Sequence, residues 1–471
     1  MVFKKIVYSL ILFFCGATSA PLSANAELTT LYQTVEQALN YSPRLQAQTY
    51  NADAFKYKLR QSRGRYLPSV DLLLGYGLEQ HSDSTTRQND ADPADTDWHN
   101  RGDFTVRLTQ RIYDGGEASH QISLQKALLD SAHFHIQQTA QTITQNAIAA
   151  HLNVYKQREL VALAKKVLKV HQDIYQSLVE MEHAGAGCLA DVTQTQARMA
   201  RARSNVFISK ADLDRAIANY EQVVGAKPGE LANAEIPDSL PKSLAEALRW
   251  TEQGNPELQA LNARIIEAHE RVGLARSTYK PKINIELSNR YNDQLEGDPS
   301  WQNTSDAMLN MRWNLYNGGQ DKAEENAALA RKHQSRSERD AKLFELREAT
   351  TSAWTTYLYL QKQKVSYREA VDSSEKTIDA YLKQFSFSQR SLLDVLNTVT
   401  DYFQYARQLV TVSVDEVMAA YRILEFGGRL QPTKDTAFRE YPEDFKRLSK
   451  AILSPPVAQS PHPESHVPLA R

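Results

Sequence analysis

The sequence predicts a mainly helical fold of two tandem repeats, with four β-strands per chain forming a transmembrane β part. Three observations carry this prediction. First, glycine and proline are scarce, at 18 and 17 of 471 residues. Average usage of roughly 7% glycine would give about twice as many. Neither residue occurs in 117–184, 188–224 or 320–426. Such runs exclude an all-β sandwich and disfavour a Rossmann-type chain of short elements, because both need frequent turn residues. Second, a set of short landmarks occurs twice in the same order. Third, the apolar period switches from helical to alternating in four segments between the helices. Hydrophobic content of 42% and a mean hydropathy of −0.52 exclude a bundle of transmembrane helices and gross disorder.

Residues 1–26 read as a secretory signal peptide. Lys4 and Lys5 make a positive n-region, 6–15 an apolar stretch too short to span a bilayer, and Ala24-Asn25-Ala26 a cleavage site of small residues. The mature chain is expected to begin at Glu27. Cleavage removes two lysines and no acid, taking the formal charge from −1 to −3. Neither sign dominates, so there is no electrostatic case for a nucleic-acid partner. Cys188 is then the one cysteine left, which excludes a disulfide within the mature chain. It reads as a helix-end spacer or as a reactive thiol.

The first repeat covers 27–226 and the second 243–430, with a linker at 227–242. Ala38-Leu39 and Ser42-Pro43-Arg44-Leu45 correspond to Ala247-Leu248 and Asn255-Pro256-Glu257-Leu258. Tyr66-Leu67-Pro68 corresponds to Tyr279-Lys280-Pro281, and Tyr113-Asp114-Gly115-Gly116 to Tyr316-Asn317-Gly318-Gly319. Leu189-Ala190-Asp191-Val192 corresponds to Leu392-Leu393-Asp394-Val395, at equal distance from the Gly pair. Each unit reads helix, two strands, long helix, helix. The opening helices are expected over 33–63 and 243–277, each ending before a proline. The long helices begin after Gly-Gly, near 117 and 320, and the first should be about 100 Å long. The 107-residue breaker-free run is expected to divide near 385–391. The return helices should start near Leu189 and Leu392 and end near Gly225 and Gly427. A hairpin of this kind needs lateral partners to bury its apolar stripe.

Between the helices the period is two. Val70, Leu72, Leu74, Tyr76 and Leu78 alternate with Ser69, Asp71, Gly75, Gly77 and Glu79, with Leu73 the exception. Phe104, Val106, Leu108 and Ile112 alternate with Thr105, Arg107, Thr109 and Arg111. Ile283, Ile285, Leu287 and Tyr291 alternate with Asn284, Glu286, Ser288 and Arg290; Ala307, Leu309, Met311, Trp313 and Leu315 with Met308, Asn310, Arg312 and Asn314. Segments of roughly ten residues span an outer membrane when tilted. The apolar face would meet outer-membrane lipid, and Arg107, Arg111, Glu286, Arg290 and Arg312 would face a wet lumen. Tyr66, Tyr113, Tyr279, Trp313 and Tyr316 sit where an aromatic girdle would fall. Four strands cannot close a barrel, and open edges are not tolerated in lipid. Two or more chains must therefore share one barrel, of eight strands for two and twelve for three. The polar turns at 80–98 and 292–301 read as extracellular loops.

These features together resemble the TolC family of outer-membrane channel proteins: the signal peptide, the two repeats, the N-P-x-L type motif, Tyr-x-Pro before one strand and Tyr-[Asp/Asn]-Gly-Gly after the next. The resemblance covers nearly all of 28–430. It implies a homotrimer with a shared twelve-stranded β-barrel on an α-helical periplasmic tunnel. It also implies docking to a periplasmic adaptor (a membrane fusion protein) and to an inner-membrane ABC or proton-driven transporter. The helix turns at 184–191 and 385–394 would be the constricted periplasmic gate. By the resemblance, Arg390 and Phe385 would tie the coils together, with Asp191 of the neighbouring hairpin as the partner of Arg390. Phe385 replaces the usual Tyr, which removes a hydroxyl bond. Asp394 fits the first of two inward acidic rings, while Asn397 stands where the second Asp would be, which weakens a cation-binding gate. The turn Ser386-Phe387-Ser388-Gln389 lacks the usual glycine.

No nucleophile elbow, P-loop, H-E-x-x-H or paired-cysteine motif is present, so neither enzyme chemistry nor a cofactor is expected. His133 and His135 fall on different helix faces and make a poor ligand pair. The tail from 431, with seven prolines in 432–471, carries no packing pattern. The function expected is a passive export duct, most in keeping with type I protein secretion. The alternatives are a small-molecule efflux duct of the same architecture and a periplasmic coiled-coil scaffold without a pore.

Overall fold

Pro43 and Pro256 start helices rather than lie inside them, and this divides both opening segments. A proline at the first helical position loses no hydrogen bond, since that N–H has no intrahelical partner. In the computed structural model, which describes residues 28–81, 98–185, 187–295, 300–386 and 389–430, α1 runs Leu31–Tyr41 and α2 Pro43–Arg63. Their counterparts in the second repeat are α5 (Leu244–Gly254) and α6 (Pro256–Ser277). The single helices expected over 33–63 and 243–277 are thus each a pair. Ser42 and Asn255 stand at the break in extended conformation and cap the second helix. Ser42 Oγ accepts from Leu45 N, and Asn255 Oδ1 accepts from Glu257 N and Leu258 N. Asn255 Nδ2 also donates to Phe426 O, 3.1 Å away, tying the break to the end of the last described helix. The signal peptide, the core of the 80–98 loop, residues 296–299, Phe387 and Ser388, and the tail from 431 lie outside the described residues.

The other elements follow the duplicated order. Strands β1 (Ser69–Glu79) and β2 (His99–Tyr113) precede the 67-residue α3 (Glu117–His183) and α4 (Leu189–Val224). Strands β3 (Lys282–Asp293) and β4 (Trp301–Arg312) precede α7 (Gln320–Ser386), also of 67 residues, and α8 (Leu392–Phe426). A straight helix of that length is about 100 Å. The turn from strand to long helix uses consecutive left-handed residues, Gly115 at φ +72° and Gly116 at +92°, then Gly318 at +59° and Gly319 at +82°. Only glycine takes that conformation cheaply. Asp114 completes the first turn, its carboxylate accepting from Gly116 N (3.0 Å) and Ala118 N (2.8 Å).

The strands form one antiparallel sheet in the order β1-β2-β3-β4. Its register puts the alternation expected from sequence onto two faces. Val70, Leu72 and Leu74 pair with Leu108, Val106 and Phe104, and Leu108 in turn with Leu287, on one face. Asp71 pairs with Arg107, Arg107 with Ser288 and Ser288 with Asp306 on the other. The apolar face is exposed over β1 and much of β4. Tyr66, Tyr113, Tyr279, Trp313 and Tyr316 are exposed too, near the strand feet.

Below the sheet, α3 packs along α4, α2, α6 and α8, and α7 along α8 and α6. The largest apolar cluster joins Ile136, Ile148, Leu152 and Val154 of α3 to α1, α4, the linker and Val414, Val417 and Leu424 of α8. A fully buried polar chain runs through it. His151 Nε2 donates to the carbonyl of Ala232 in the linker at 2.9 Å, which leaves Nδ1 as an acceptor for Thr34 Oγ1, also at 2.9 Å. Thr34 Oγ1 then accepts from the Tyr220 hydroxyl at 3.1 Å. One directed chain thus ties α1, α3, α4 and the linker in a place where an unpaired polar group would be costly. Among the described residues no helix is long and apolar enough to cross a membrane.

Two predictions follow from these contacts. Asn255→Ala removes the cap and the bond to Phe426 and should cost about 1–2 kcal/mol. It should lower the Tm of the detergent-solubilised protein, while Asn255→Asp, which keeps the cap, lowers it less. Burial pushes His133, His151 and His171 below the ordinary histidine range. The unfolded chain, with ordinary values near roughly 6.5, then binds protons that the folded chain refuses. Stability is full above that pH and falls as the pH drops through and below it. Melting followed between pH 7.5 and 5.5 should show a falling Tm; a flat or rising profile would contradict the neutral buried imidazoles.

Candidate functional site

The two helix turns remote from the sheet are built differently. Between α3 and α4, Gly185 is left-handed at φ +74°. Gly187 is held so close to the end of α3 that a Cβ there would lie 2.7 Å from Glu182 N. Cys188 is the exposed N-cap residue of α4 and gives no side-chain capping bond. Between α7 and α8 no glycine is used; Gln389 N donates to Gln384 O at 2.9 Å, and Ser391 Oγ caps α8 by accepting from Asp394 N.

An apolar seal joins the two hairpins just above these turns. Ile174 and Leu178 of α3 pack on Leu392, Val395 and Leu396 of α8, with Val192, Tyr381 and Phe385 against them. Phe385 therefore contributes packing where a hydroxyl is lost. The hydroxyl is supplied one helical turn earlier. Arg390 Nη2 donates to Tyr381 Oη at 2.7 Å, and its guanidinium lies over the Tyr381 ring, 4.2 Å from the centroid. Arg390 Nε also pairs with Asp394 at 3.1 Å. Asp191, in the first turn of α4, forms no ion pair among the described residues. Within one protomer, then, Arg390 is engaged by its own hairpin and does not meet Asp191.

Asn397 is also engaged, by a residue the sequence did not single out. Arg198 of α4 donates from Nη2 to Asn397 Oδ1 at 3.1 Å and from Nη1 to Thr400 Oγ1 at 3.3 Å. This clamps α4 to α8. Asn397 is thus the acceptor for a guanidinium from the adjacent hairpin. Tyr381 was within reach of sequence reasoning, lying four residues before Phe385 on the same helix face. Arg198 was not, since 199 residues separate it from Asn397.

The polar sheet face carries the other candidates. Arg107 Nε and Glu286 Oε1 are 2.9 Å apart across β2 and β3, and Asn310 donates to Glu286 from β4 at 3.4 Å. Arg111 lies 3.6 Å from Asp114 at the foot of β2. Arg290 stands opposite Thr105 and Thr304, and Arg312 opposite Lys282; neither forms an ion pair among the described residues. At the junction of sheet and helices, Glu117 accepts from Arg65 at 2.9 Å and Lys282 at 2.6 Å. An acid in the first turn of α3 also complements the helix dipole. Among the described residues no cluster of His, Cys, Asp or Glu could hold a metal ion.

Comparison with known proteins agrees with this geometry. The sequence profile of the outer membrane efflux protein family matches residues 34–226 and 248–423, the two repeats in turn. The outer membrane efflux protein BepC of Brucella suis is 25% identical over 336 residues, covering 71% of this chain and 74% of BepC. The proteases secretion protein PrtF of Dickeya chrysanthemi is 22% identical over 458 residues, 92% of this chain and 93% of PrtF. The crystal structure of the Campylobacter jejuni CmeC outer membrane channel has the same fold, with a TM-score of 0.76 at 14% identity over 89% of both chains. The chain belongs to the outer membrane efflux protein family, as its TolC-like motifs implied, and is an outer-membrane protein extending into the periplasm.

Proposed function

We propose that three copies of this chain form an export duct, each adding its four strands to a twelve-stranded barrel above a shared helical tunnel. The duct would carry substrate from an inner-membrane ABC or proton-driven transporter, through a periplasmic adaptor, to the outside. The observation that carries this reading is the sheet. It is apolar and exposed on one face, charged on the other, unpaired along the outer edges of β1 and β4, and mounted on hairpins about 100 Å long. Such a sheet satisfies its backbone in lipid only by closing laterally. The chain would do no covalent chemistry; energy would come from the inner-membrane partner. Type I protein secretion is favoured by the similarity to a proteases secretion protein over nearly the whole chain, and by the Tyr-Asp-Gly-Gly turn with its long first loop. Small-molecule efflux is the second reading, favoured by the similarity to an efflux protein.

Membrane extraction tests the duct. A heat-modifiable oligomer in the outer-membrane detergent fraction is expected, and release with soluble periplasm would favour the scaffold instead. A deletion strain separates the cargo classes: protein secretion predicts bands lost from the culture supernatant, efflux predicts greater sensitivity to small toxic compounds.

The gate assigned to Asp191, Phe385, Arg390, Asp394 and Asn397 belongs to the same proposal. Opening would be an iris-like motion of the hairpins, with Asp191 reaching Arg390 across a seam between hairpins. Arg390→Ser should raise single-channel conductance in planar bilayers, by releasing Tyr381 and Asp394 as well as any contact to Asp191. Tyr381→Phe, which leaves the guanidinium stacked on the ring, should raise it less. An unaltered closed state in Arg390→Ser would remove Arg390 from the gate.

A further inference from the structure

His171 is a buried imidazole without an assigned task. It lies on α3, 4% exposed, and its Nδ1 atom is enclosed with no hydrogen-bond partner. An orphaned buried polar atom of this kind calls for an occupant. Beside it is a cavity of about 30 Å³ in the seam between α3, α4 and α8, lined by Val167, Arg198, Arg201, Ala202, Asn205 and Thr400 among others. The lining contains two guanidinium side chains and no carboxylate. Neither Arg198 nor Arg201 forms an ion pair among the described residues. Arg198 is instead pinned by two neutral acceptors, Asn397 and Thr400. The seam therefore holds positive charge, a free imidazole nitrogen and a space, with nothing negative among them.

We propose that this seam binds one small monovalent anion of the halide class, with chloride as the natural occupant, held by Arg198, Arg201 and the Nδ1–H of His171. Charge decides against water, since Arg198 is half-buried beside the cavity, where Coulomb terms exceed those in bulk water, and the exposed Arg201 adds to the attraction. Size decides against phosphate or a carboxylate metabolite, because the cavity has room for about one or two waters. Burial and the nearby Arg198 hold His171 below the ordinary histidine range. The ring is thus neutral at pH 7 and can carry its one proton on Nδ1 as a donor. Bound there, the anion bridges α3 and α4 to α8 beside the Arg198–Asn397 clamp and strengthens the contact between the two hairpins of one chain.

Bromide is the probe, used on the full-length detergent-solubilised protein. Crystals grown in bromide should show an anomalous peak between Arg198, Arg201 and His171. Ala202→Leu, which fills the cavity without removing a charge, should lose that peak. In solution the Tm should rise saturably with chloride relative to gluconate at equal ionic strength. That difference should vanish in Ala202→Leu and shrink in Arg201→Gln, an exposed position that keeps the proposal testable if the leucine variant does not fold. Absence of the anomalous peak, or an equal chloride effect in the wild type and Arg201→Gln, would overturn the site.

Discussion

Among the described residues no strand pairs with the outer edges of β1 and β4, and these open backbone groups constrain the rest of the molecule. In water, a sheet with Leu74 71% exposed and Tyr76 82% exposed would be an aggregation site. In hydrocarbon the apolar face is satisfied but the edges are not, because lipid offers no hydrogen-bond partner. Lateral closure with other strands, as proposed above, would answer both demands. The helices share the constraint at the point where they join the sheet. Gly115-Gly116 and Gly318-Gly319 reverse the chain directly from strand into helix. Glu117, bridged to Arg65 and Lys282, fixes the first of these helices to the strand feet. A strand tilted by closure would carry its helix with it through these rigid joints.

The joints were legible in the sequence because each is set by a local requirement that recurs in both repeats. Consecutive left-handed residues require Gly-Gly, and a two-residue period requires alternation whatever the strand pairs with. The opening helices were misread for an equally local reason. The expected helices ran straight through Pro43 and Pro256, although an interior proline costs a backbone hydrogen bond and the residue before it shows where a helix starts. Ser42 and Asn255 are N-cap types, so each Pro marks a start. Strand pairing was only half legible. The faces followed from the period, but the contact between Arg107 and Glu286 depends on a β2–β3 register in which Thr109, and not Arg107, stands opposite Glu286.

At the helix turns, what was illegible was the partner of each side chain. Motif position singled out Phe385, Arg390, Asp394 and Asn397, and all four sit around one turn. Their contacts depend on helix phase and on a second helix. Phe385 packs in the apolar cluster, and the hydroxyl that meets Arg390 comes from Tyr381, which shares its face of α7. Asn397 is met by Arg198 across the α4–α8 seam, at a separation in sequence that no local pattern reveals. His171 is a further case. As one of several histidines along a helix it carried no signal, and only packing shows that its ring is enclosed beside two guanidiniums that form no ion pair among the described residues.

The two turns also differ in a way the duplication makes quantitative. Asp191 and Asp394 occupy the same place in their repeats, each in the first turn of a return helix where the helix dipole favours a carboxylate. Four residues earlier stand Gly187 in the first repeat and Arg390 in the second. Gly187 cannot be replaced by an arginine without distortion, since a Cβ there would lie 2.7 Å from Glu182 N. The tight glycine turn and the cation clamp of Arg390 therefore exclude each other. An exposed pair such as Arg390–Asp394 contributes about 0–1 kcal/mol by itself, but its stacking on Tyr381 adds a contact of similar size. The second hairpin thus ties its own end, whereas in the first Asp191 forms no ion pair among the described residues, and the contact with α8 rests on the apolar cluster and on Arg198. In the opening proposed above, separation of the hairpins would begin at the α3–α4 side of the seam, where side chains from two hairpins meet.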